Sequence, residues 1–331
     1  MSGSVNILLI RLRSMGDILF TLPAVHLIRE TFPSARITFL VSKEYAPLLE
    51  GFRDVDTVIA IDRTRFKRPN PQAIIIETFS VLRQVRRGKF SLAVDFHGHG
   101  ETGLLAWCSG APQRVGLVSH ATRNWAYTKV LRPDRRLHPA QRNLSLLQEC
   151  GLQPARIRNE FALPAGALDE AAQFLRSRGV SSAKPSLFIQ PFTSTPFKDW
   201  PLDRFLEVAQ FWRSRGRQVI FGGGPADLAT LEPVRQAGFP VSAGVPLLVT
   251  AGLIKLSSLV LGSDTGILHL AVAMGKRTVM AMVSAKPGNC HPFQHPDWTV
   301  VPPEEGQPIS SISTDTVNEA CARAFAEVSA V

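Results

Sequence analysis

Gly262-Ser-Asp-Thr-Gly-Ile-Leu-His-Leu-Ala-Val-Ala-Met-Gly275 has the pattern of a strand end, a turn and a helix in one run. The apolar run Leu259-Val-Leu261 before it has the character of a buried strand, and Ile267, Leu270, Ala271 and Met274 after it recur at helical spacing. Ser263, Asp264, Thr265 and Gly266 therefore occupy a strand-to-helix turn. Such a turn aims unpaired backbone N–H groups and the positive end of the helix dipole at whatever lies in front of it. Thr265 and His269 are four apart and share a helical face. Gly266 lets a ligand approach the backbone closely. Two readings stand level here. One is an anion site; the other is a structural helix capped by Asp264 or Thr265, with His269 a satisfied core histidine.

The chain of 331 residues is too long for one ordinary core and predicts two domains of roughly 150 residues each. With 45% hydrophobic and 19% charged residues it is globular and not disordered. No apolar run approaches the ~18 residues of a membrane span. Val5-Asn-Ile-Leu-Leu-Ile10 is too short for a signal-peptide core and is followed, not preceded, by arginines. The expected location is the cytoplasm. Cys108, Cys150, Cys290 and Cys321 are widely separated, with no metal or redox spacing, as unpaired thiols of a reducing compartment would be. A net charge of +10 and a pI near 9.9 suit an anionic partner, whether nucleic acid, acidic lipid or a phosphorylated small molecule. No RNP signature, KH loop or zinc finger is present, so nucleic acid is the weakest of the three.

On either side of this stretch, strand-like and helix-like runs alternate along the chain. Asn6–Ile10, Arg36–Val41, Thr57–Ile61, Ser91–Phe96 and Arg114–Val118 read as strands, and Leu22–Phe32, Glu44–Gly51, Gln72–Arg87 and Pro139–Cys150 as helices or helical turns. This is the rhythm of a parallel sheet covered on both faces. Gln153-Pro154 and Leu163-Pro-Ala-Gly166 then break the chain, setting a boundary at 165/166, and the helical run Ala167–Arg178 reads as closing the first half. The rhythm restarts with strands at Ser186–Gln190, Gln218–Phe221, Val241–Ser242, Leu259–Leu261 and Thr278–Val283. Helices are expected at Leu202–Arg215, Ala226–Ala237, Leu247–Leu256 and Gly266–Met274. A last helix, about Thr314–Val328, can pack on either half. Two doubly wound units imply a cleft, with ligands at the carboxyl ends of the strands.

Five segments could carry chemistry. In Arg11-Leu-Arg-Ser-Met-Gly-Asp17, Gly16 permits a tight turn, and Pro23 delays the regular helix to about Leu22. Asp17 then sits at the top of the first strand, as a general base, a cap, or an ion-pair partner of Arg11 or Arg13. Gly98-His-Gly-Glu-Thr-Gly103 matches the dinucleotide fingerprint, but the acidic residue expected about 20 positions on is missing, which counts against a nicotinamide site. His97 and His99 lack a third metal ligand and read as polar cleft residues. Thr193, Ser194 and Thr195 offer hydroxyls and amides, and Lys198 a point charge, suited to phosphate; a plain ST-turn is the alternative. In Gly222-Gly-Gly-Pro-Ala-Asp227 the glycines allow a flat ligand close to the backbone, and Asp227 can accept from a ribose hydroxyl or cap its own loop. Arg63-Thr-Arg-Phe-Lys-Arg68 is a basic loop that either holds an anionic acceptor or acidic headgroups, or is simply solvated.

Taken together, Ser14-Met-Gly-Asp17 with Thr21-Leu-Pro-Ala24, Asp95-Phe-His-Gly98, Gly110-Ala-Pro-Gln-Arg-Val-Gly116, Thr193 to Pro201 and Ser263 to Ala271 resemble glycosyltransferase family nine, the lipopolysaccharide heptosyltransferases. The resemblance runs over almost the whole chain. It implies an α/β GT-B fold of two facing Rossmann-like doubly wound domains with a central cleft: 1–165 binding the acceptor and 166–331 the nucleotide sugar. It implies inverting transfer of L-glycero-D-manno-heptose from an ADP-sugar donor to an anionic glycolipid acceptor of the inner core, without a metal or other cofactor. Asp17 is then the base, and Thr193, Ser194 and Lys198 hold the diphosphate with Asp264, Thr265, Gly266 and His269. Asp227 lies near the ribose, and Gly16, Arg63, Arg65 and Arg68 on the acceptor side. Peripheral contact with the cytoplasmic face of the inner membrane fits the same reading, and nucleic acid does not. One departure is Val283-Ser-Ala-Lys-Pro-Gly288, where relatives carry Gly-Pro-Thr followed by Asp or Ser and then Pro, so that Lys286 adds a charge beside the nucleotide. The rival readings are a nicotinamide oxidoreductase, an epimerase or transferase using another nucleotide sugar within the GT-B fold, and a non-catalytic anion-binding protein.

Overall fold

The computed structural model describes residues 5–67, 71–181 and 183–329. The chain divides into two compact units, one ending at Asn159 and one beginning at Glu160. In the first, β1 (Asn6–Ile10), β2 (Arg36–Ser42), β3 (Thr57–Ile61), β4 (Leu92–Asp95), β5 (Gln113–Leu117) and β6 (Lys129–Leu131) form a six-stranded sheet in the order β3-β2-β1-β4-β5-β6. Every pairing is parallel. α1 (Met15–Leu19), α2 (Leu22–Thr31), α3 (Pro71–Arg87), α4 (Gly100–Cys108) and α5 (Pro139–Gln148) complete it. Strands such as β1, with Ile7 to Ile10 fully buried, are apolar on both faces because helices cover both, and Leu8, Ile10, Leu40, Ile59, Val85 and Ala93 share one core with α3 and α4 residues.

The second unit opens with α6 (Ala165–Ser177). β7 (Ser186–Gln190), α7 (Leu202–Ser214), β8 (Gln218–Phe221), α8 (Glu232–Gln236), α9 (Leu247–Leu256), β9 (Leu259–Ser263), α10 (Gly266–Ala273), β10 (Thr278–Ala281), β11 (Thr299–Val300) and α11 (Thr314–Ser329) follow. Its sheet runs β11-β10-β9-β7-β8, again all parallel. Leu187, Ile189, Phe205, Phe221, Leu261 and Phe325 lie in its core. In each sheet the strand order reverses once, between β1 and β4 and between β7 and β9, and such switch points are where open α/β sheets bind ligands.

Several expectations are corrected. α6 does not close the first half: it packs on α9, so closely that a Cβ on Gly252 would lie 2.5 Å from the Ala167 carbonyl oxygen. The last helix packs on its own unit, against α7, β9 and β10. The helix expected over Ala226–Ala237 is broken into a 3-10 turn at Pro225–Asp227 and the short α8, because Pro233 has no N–H and clashes with a preceding helical carbonyl. Lys43–Gly51 is likewise 3-10, with Pro47 inside it. Val241 makes only an isolated bridge to Phe221, while β6, α1 and α4, which are short or weakly periodic, were not anticipated.

Candidate functional site

In the second unit the loops that leave β7 and β9 meet at the switch point. Lys198 Nζ donates to Asp264 Oδ2 at 2.7 Å, and His269 Nε2 lies 3.1 Å from Asp264 Oδ1. Both carboxylate oxygens are thereby engaged, so Asp264 is not the helix cap. Thr265 stands at the cap position in extended backbone and makes no side-chain cap bond, which leaves the first amides of α10 for something other than a capping side chain. Burial pushes the Asp264 carboxyl up, but the hydrogen bonds and charges of His269 and Lys198 outweigh it, and the group sits below the usual carboxylate range. Asp264 is thus ionised and holds Lys198 at the mouth of a cavity of about 300 Å³ lined also by Phe197, Met282, Val283, Ser284 and Asn289. A lysine ammonium has three donors, so it can keep Asp264 and still take a phosphate oxygen.

The two loops are fastened to each other and to the core. Trp200, fully buried, donates its backbone N–H to Ser263 Oγ at 3.0 Å and its indole N–H to the Ile312 carbonyl at 3.1 Å. Ser263 Oγ donates in turn to the Pro191 carbonyl at 3.2 Å, and Asp199 accepts from the Thr193 N–H at 2.8 Å. Trp200 and Asp199 carry no role in the sequence alone, and Ser263 stands there only as part of the strand-to-helix turn. A tryptophan just before α7 and a serine at the end of β9, both beside ligand-type residues, were the available signal.

Other predicted members of this site stand differently. Thr193 Oγ1 donates to the Thr195 carbonyl and accepts its N–H, both at 2.9 Å, so this hydroxyl shapes an ST-turn. Ser194 is exposed. Asp227 Oδ2 accepts the Gly224 N–H at 2.7 Å and closes its own turn. Gly222 and Gly223 are crowded by packing: a Cβ would lie 2.5 Å from the Phe188 ring and 2.7 Å from the end of the Leu231 side chain respectively. Lys286 pairs with Glu305, which offsets the extra charge.

In the first unit, Asp17 lies in the first turn of α1 instead of on an open loop, and Gly16 is inside that helix instead of at a tight turn. Arg11 Nη2 donates to Asp17 Oδ2 at 2.8 Å, and the Ser14 N–H and Oγ donate to the same oxygen at 3.2 and 3.1 Å. Burial raises the carboxyl, Arg11 and Ser14 lower it further, and it ends below the usual range. Arg11 also donates through Nη1 to the Phe96 carbonyl at 2.6 Å, which fixes it across the β1/β4 switch point. Arg11, Asp17, His97, Ser119, Arg142 and Asn143 are among the residues lining a cavity of about 160 Å³ there.

The turn after β4 explains the false fingerprint. Gly98 has φ +65°, and a Cβ on it would fall 1.8 Å from the Leu117 carbonyl oxygen, so glycine is required by the neighbouring strand and not by a dinucleotide. Asp95, fully buried, accepts from the His97 N–H, the Gly98 N–H and the Tyr127 hydroxyl at 2.8, 3.0 and 2.6 Å. Burial pushes its carboxyl up. His97 Nδ1 accepts the Leu12 N–H at 3.3 Å, which puts the ring proton of the neutral form on Nε2, and the His97 and His99 rings meet edge to face. Burial, then the positive charge of Arg11 and His99, depresses His97 to about 3. The unfolded chain binds this proton near pH 6.5 and the folded chain does not until about 3, so folding stability falls as pH drops through that window. His97→Gln should flatten the decline between pH 6.5 and 4, measured by urea unfolding at each pH. A wild-type slope in the variant would remove His97 as its source.

On the proposed acceptor side, Arg63 pairs with Glu101 at 3.4 Å, and Arg65 with Glu77 at 3.3 Å and Asp62 at 3.6 Å. Arg68 lies outside the described residues.

Two all-parallel Rossmann-like units, each with a single switch point, are the architecture of the GT-B fold. Residues 78–314 match the model of glycosyltransferase family 9 (heptosyltransferase), and the chain belongs to that family. It is 25% identical over 301 residues to a lipopolysaccharide heptosyltransferase 3 of Escherichia coli K12, covering 87% of this chain and 84% of that one. The structure of a family 9 glycosyltransferase from Veillonella parvula superposes with a TM-score of 0.88 at 23% identity, covering 99% of both chains. The Escherichia coli ADP-heptose lipopolysaccharide heptosyltransferase II gives 0.80 at 20% identity, covering 98% of this chain and 99% of that one. Family membership makes the chain a glycosyltransferase and sets aside the oxidoreductase and anion-carrier readings.

Proposed function

We propose that the enzyme moves L-glycero-D-manno-heptose from ADP-heptose to an inner-core lipopolysaccharide acceptor with inversion, working at the cytoplasmic face of the inner membrane. The observation that carries this is the Lys198–Asp264–His269 cluster beside the N-terminus of α10 at the β7/β9 switch point. In the reaction the bond from the anomeric carbon to the diphosphate oxygen breaks, and its electron pair leaves with ADP. Lys198 and the amides of α10 stabilise that developing charge. An acceptor hydroxyl oxygen bonds to the anomeric carbon from the opposite face, and its proton passes to the Asp17 carboxylate. Thr193 and Ser194 are assigned with Lys198 to the donor diphosphate, joined by Asp264, Thr265, Gly266 and His269; Asp227 is assigned to the ribose side, and Gly16, Arg63, Arg65 and Arg68 to the acceptor side. Because Asp17 and Lys198 sit on different units, the reading divides acceptor activation and donor binding between them. No helix among the described residues is long and apolar enough to cross a membrane, so the contact proposed with the lipid surface is peripheral.

Thermal unfolding in the presence of ADP, UDP or GDP tests the donor class. The midpoint should rise with ADP alone, following ligand linkage to the folded state. An equal rise with UDP or GDP would overturn the assignment of an ADP-sugar and favour the epimerase or another transferase of the same fold.

A further inference from the structure

The first unit carries an apolar surface that its own fold does not cover. A cavity of about 390 Å³, walled by side chains that include Leu12, Ile61, Val81 and Leu105, opens between α3 and α4. Around it the apolar surface continues outward. On α3, Ile75, Ile76 and Phe79 are 58%, 61% and 72% exposed, and on α4 Leu104 and Trp107 are 47% and 53% exposed. Trp107 meets the equally exposed Trp125 edge to face, with 6.2 Å between ring centroids. α3 packs on α4, and α4 on the turn that holds Trp125, so these side chains stand on adjoining elements. A cluster of this size and composition marks an interaction surface.

The charge around it is one-sided. Arg83, Arg86 and Arg87 are exposed near the end of α3; Arg123, on the same turn as Trp125, is half-buried and donates to the Gly98 carbonyl at 2.9 Å. The acidic residues of α3 and α4, Glu77 and Glu101, are each paired with an arginine of the Arg63–Lys67 turn. A second copy of the chain, laid isologously on this face, would set arginine against arginine. A polyanion such as nucleic acid would use the arginines but leave the exposed isoleucines and rings in water. Aromatic and aliphatic side chains with arginines beside them match a negatively charged lipid interface, where rings sit at headgroup depth and cations meet the phosphates.

We infer that the face formed by α3, α4 and the Trp125 turn docks on an anionic phospholipid bilayer. The inference deepens the reading above, resting on an acceptor that is carried by lipid.

Vesicle sedimentation tests it, using phosphatidylglycerol–phosphatidylcholine vesicles at one to three and phosphatidylcholine vesicles alone. Two double variants are compared with the wild type: Ile76→Ser with Phe79→Ser, and Arg83→Glu with Arg87→Glu. The wild type should sediment with the anionic vesicles and not the neutral ones, and each variant should lose about tenfold in partitioning. Heptosyl transfer to a delipidated, soluble core oligosaccharide should be unchanged in both variants, which also shows that they fold. Wild-type partitioning by the variants, or equal binding to neutral vesicles, would overturn the docking face. So would a concentration-dependent dimer that the apolar variant abolishes, since the face would then belong to a second copy. Vesicle binding without transfer to the soluble acceptor would leave the face standing and overturn the proposed function instead.

Discussion

Asp17→Asn should lower kcat for heptosyl transfer by about 10³-fold, the range expected when a positioned general base is removed, while the affinity for ADP changes little. Asparagine keeps the shape of the side chain and an oxygen for the Ser14 N–H, so the loss reads out the carboxylate and not a collapsed α1. The ionisation of Asp17 fixes the pH behaviour. With its carboxyl held below the usual range by Arg11 and Ser14 against the pull of burial, Asp17 remains a carboxylate throughout neutral and mildly acid pH. The rate should therefore show no acid limb from this residue above its ordinary value of 3.8. Steady-state kinetics from pH 5 to 8 measure both parts. Turnover within a few fold of wild type in the variant would take Asp17 out of the chemistry and leave it as the partner of Arg11.

Lys198→Ala should have the second largest effect, lowering kcat/KM by about 10²–10³-fold, as for deletion of one donor to a developing oxyanion. Binding of ADP should weaken as well, because the charge acts on the diphosphate in the ground state and on the leaving group. Two things are lost at once: the cation, and the partner of Asp264, whose carboxylate would then keep only His269 and face the phosphates uncompensated. Lys198→Arg separates them. It keeps a charge opposite Asp264 and should recover ADP affinity more than turnover, since a guanidinium fork does not place its donors where an ammonium does. Isothermal titration with ADP, beside steady-state kinetics, resolves the two readouts. Unchanged kinetics in the alanine variant would return Lys198 to an ordinary ion pair.

The alternation of apolar runs made two parallel sheets legible, because strands buried on both faces advertise themselves as continuous hydrophobic segments. β7 and β8 fall where the runs predict. Strand order was beyond the sequence, since it depends on which crossover packs on which face, and with it went the location of the switch points. Short elements such as β6 and α1 were missed because a few residues carry no period. At the site, Lys198, Asp264 and His269 were visible as residue types near a strand-to-helix turn. Their contact was not, because 66 residues separate Lys198 from Asp264. Conversely, the glycines after β4 and β8 looked like ligand cradles, and at Gly98, Gly222 and Gly223 they answer to a neighbouring carbonyl, ring or methyl group. Glycine spacing reports only that something comes close to the backbone, and a sheet neighbour meets that need as well as a cofactor does.

Trp200 couples the loops after β7 and β9 to the core, and this governs their exchange and local opening. A loop tied only to solvent opens on its own, far below the cost of unfolding the domain. Here the Trp200 amide is closed by Ser263 and its indole by Ile312, both within the buried body of the second unit. Releasing that loop means withdrawing a whole indole ring from the core, so its opening is merged with the cooperative unfolding of the sheet beneath. The ordering entropy of these loops is accordingly settled when the domain folds, and a ligand arriving later at the N-terminus of α10 meets amides already in place.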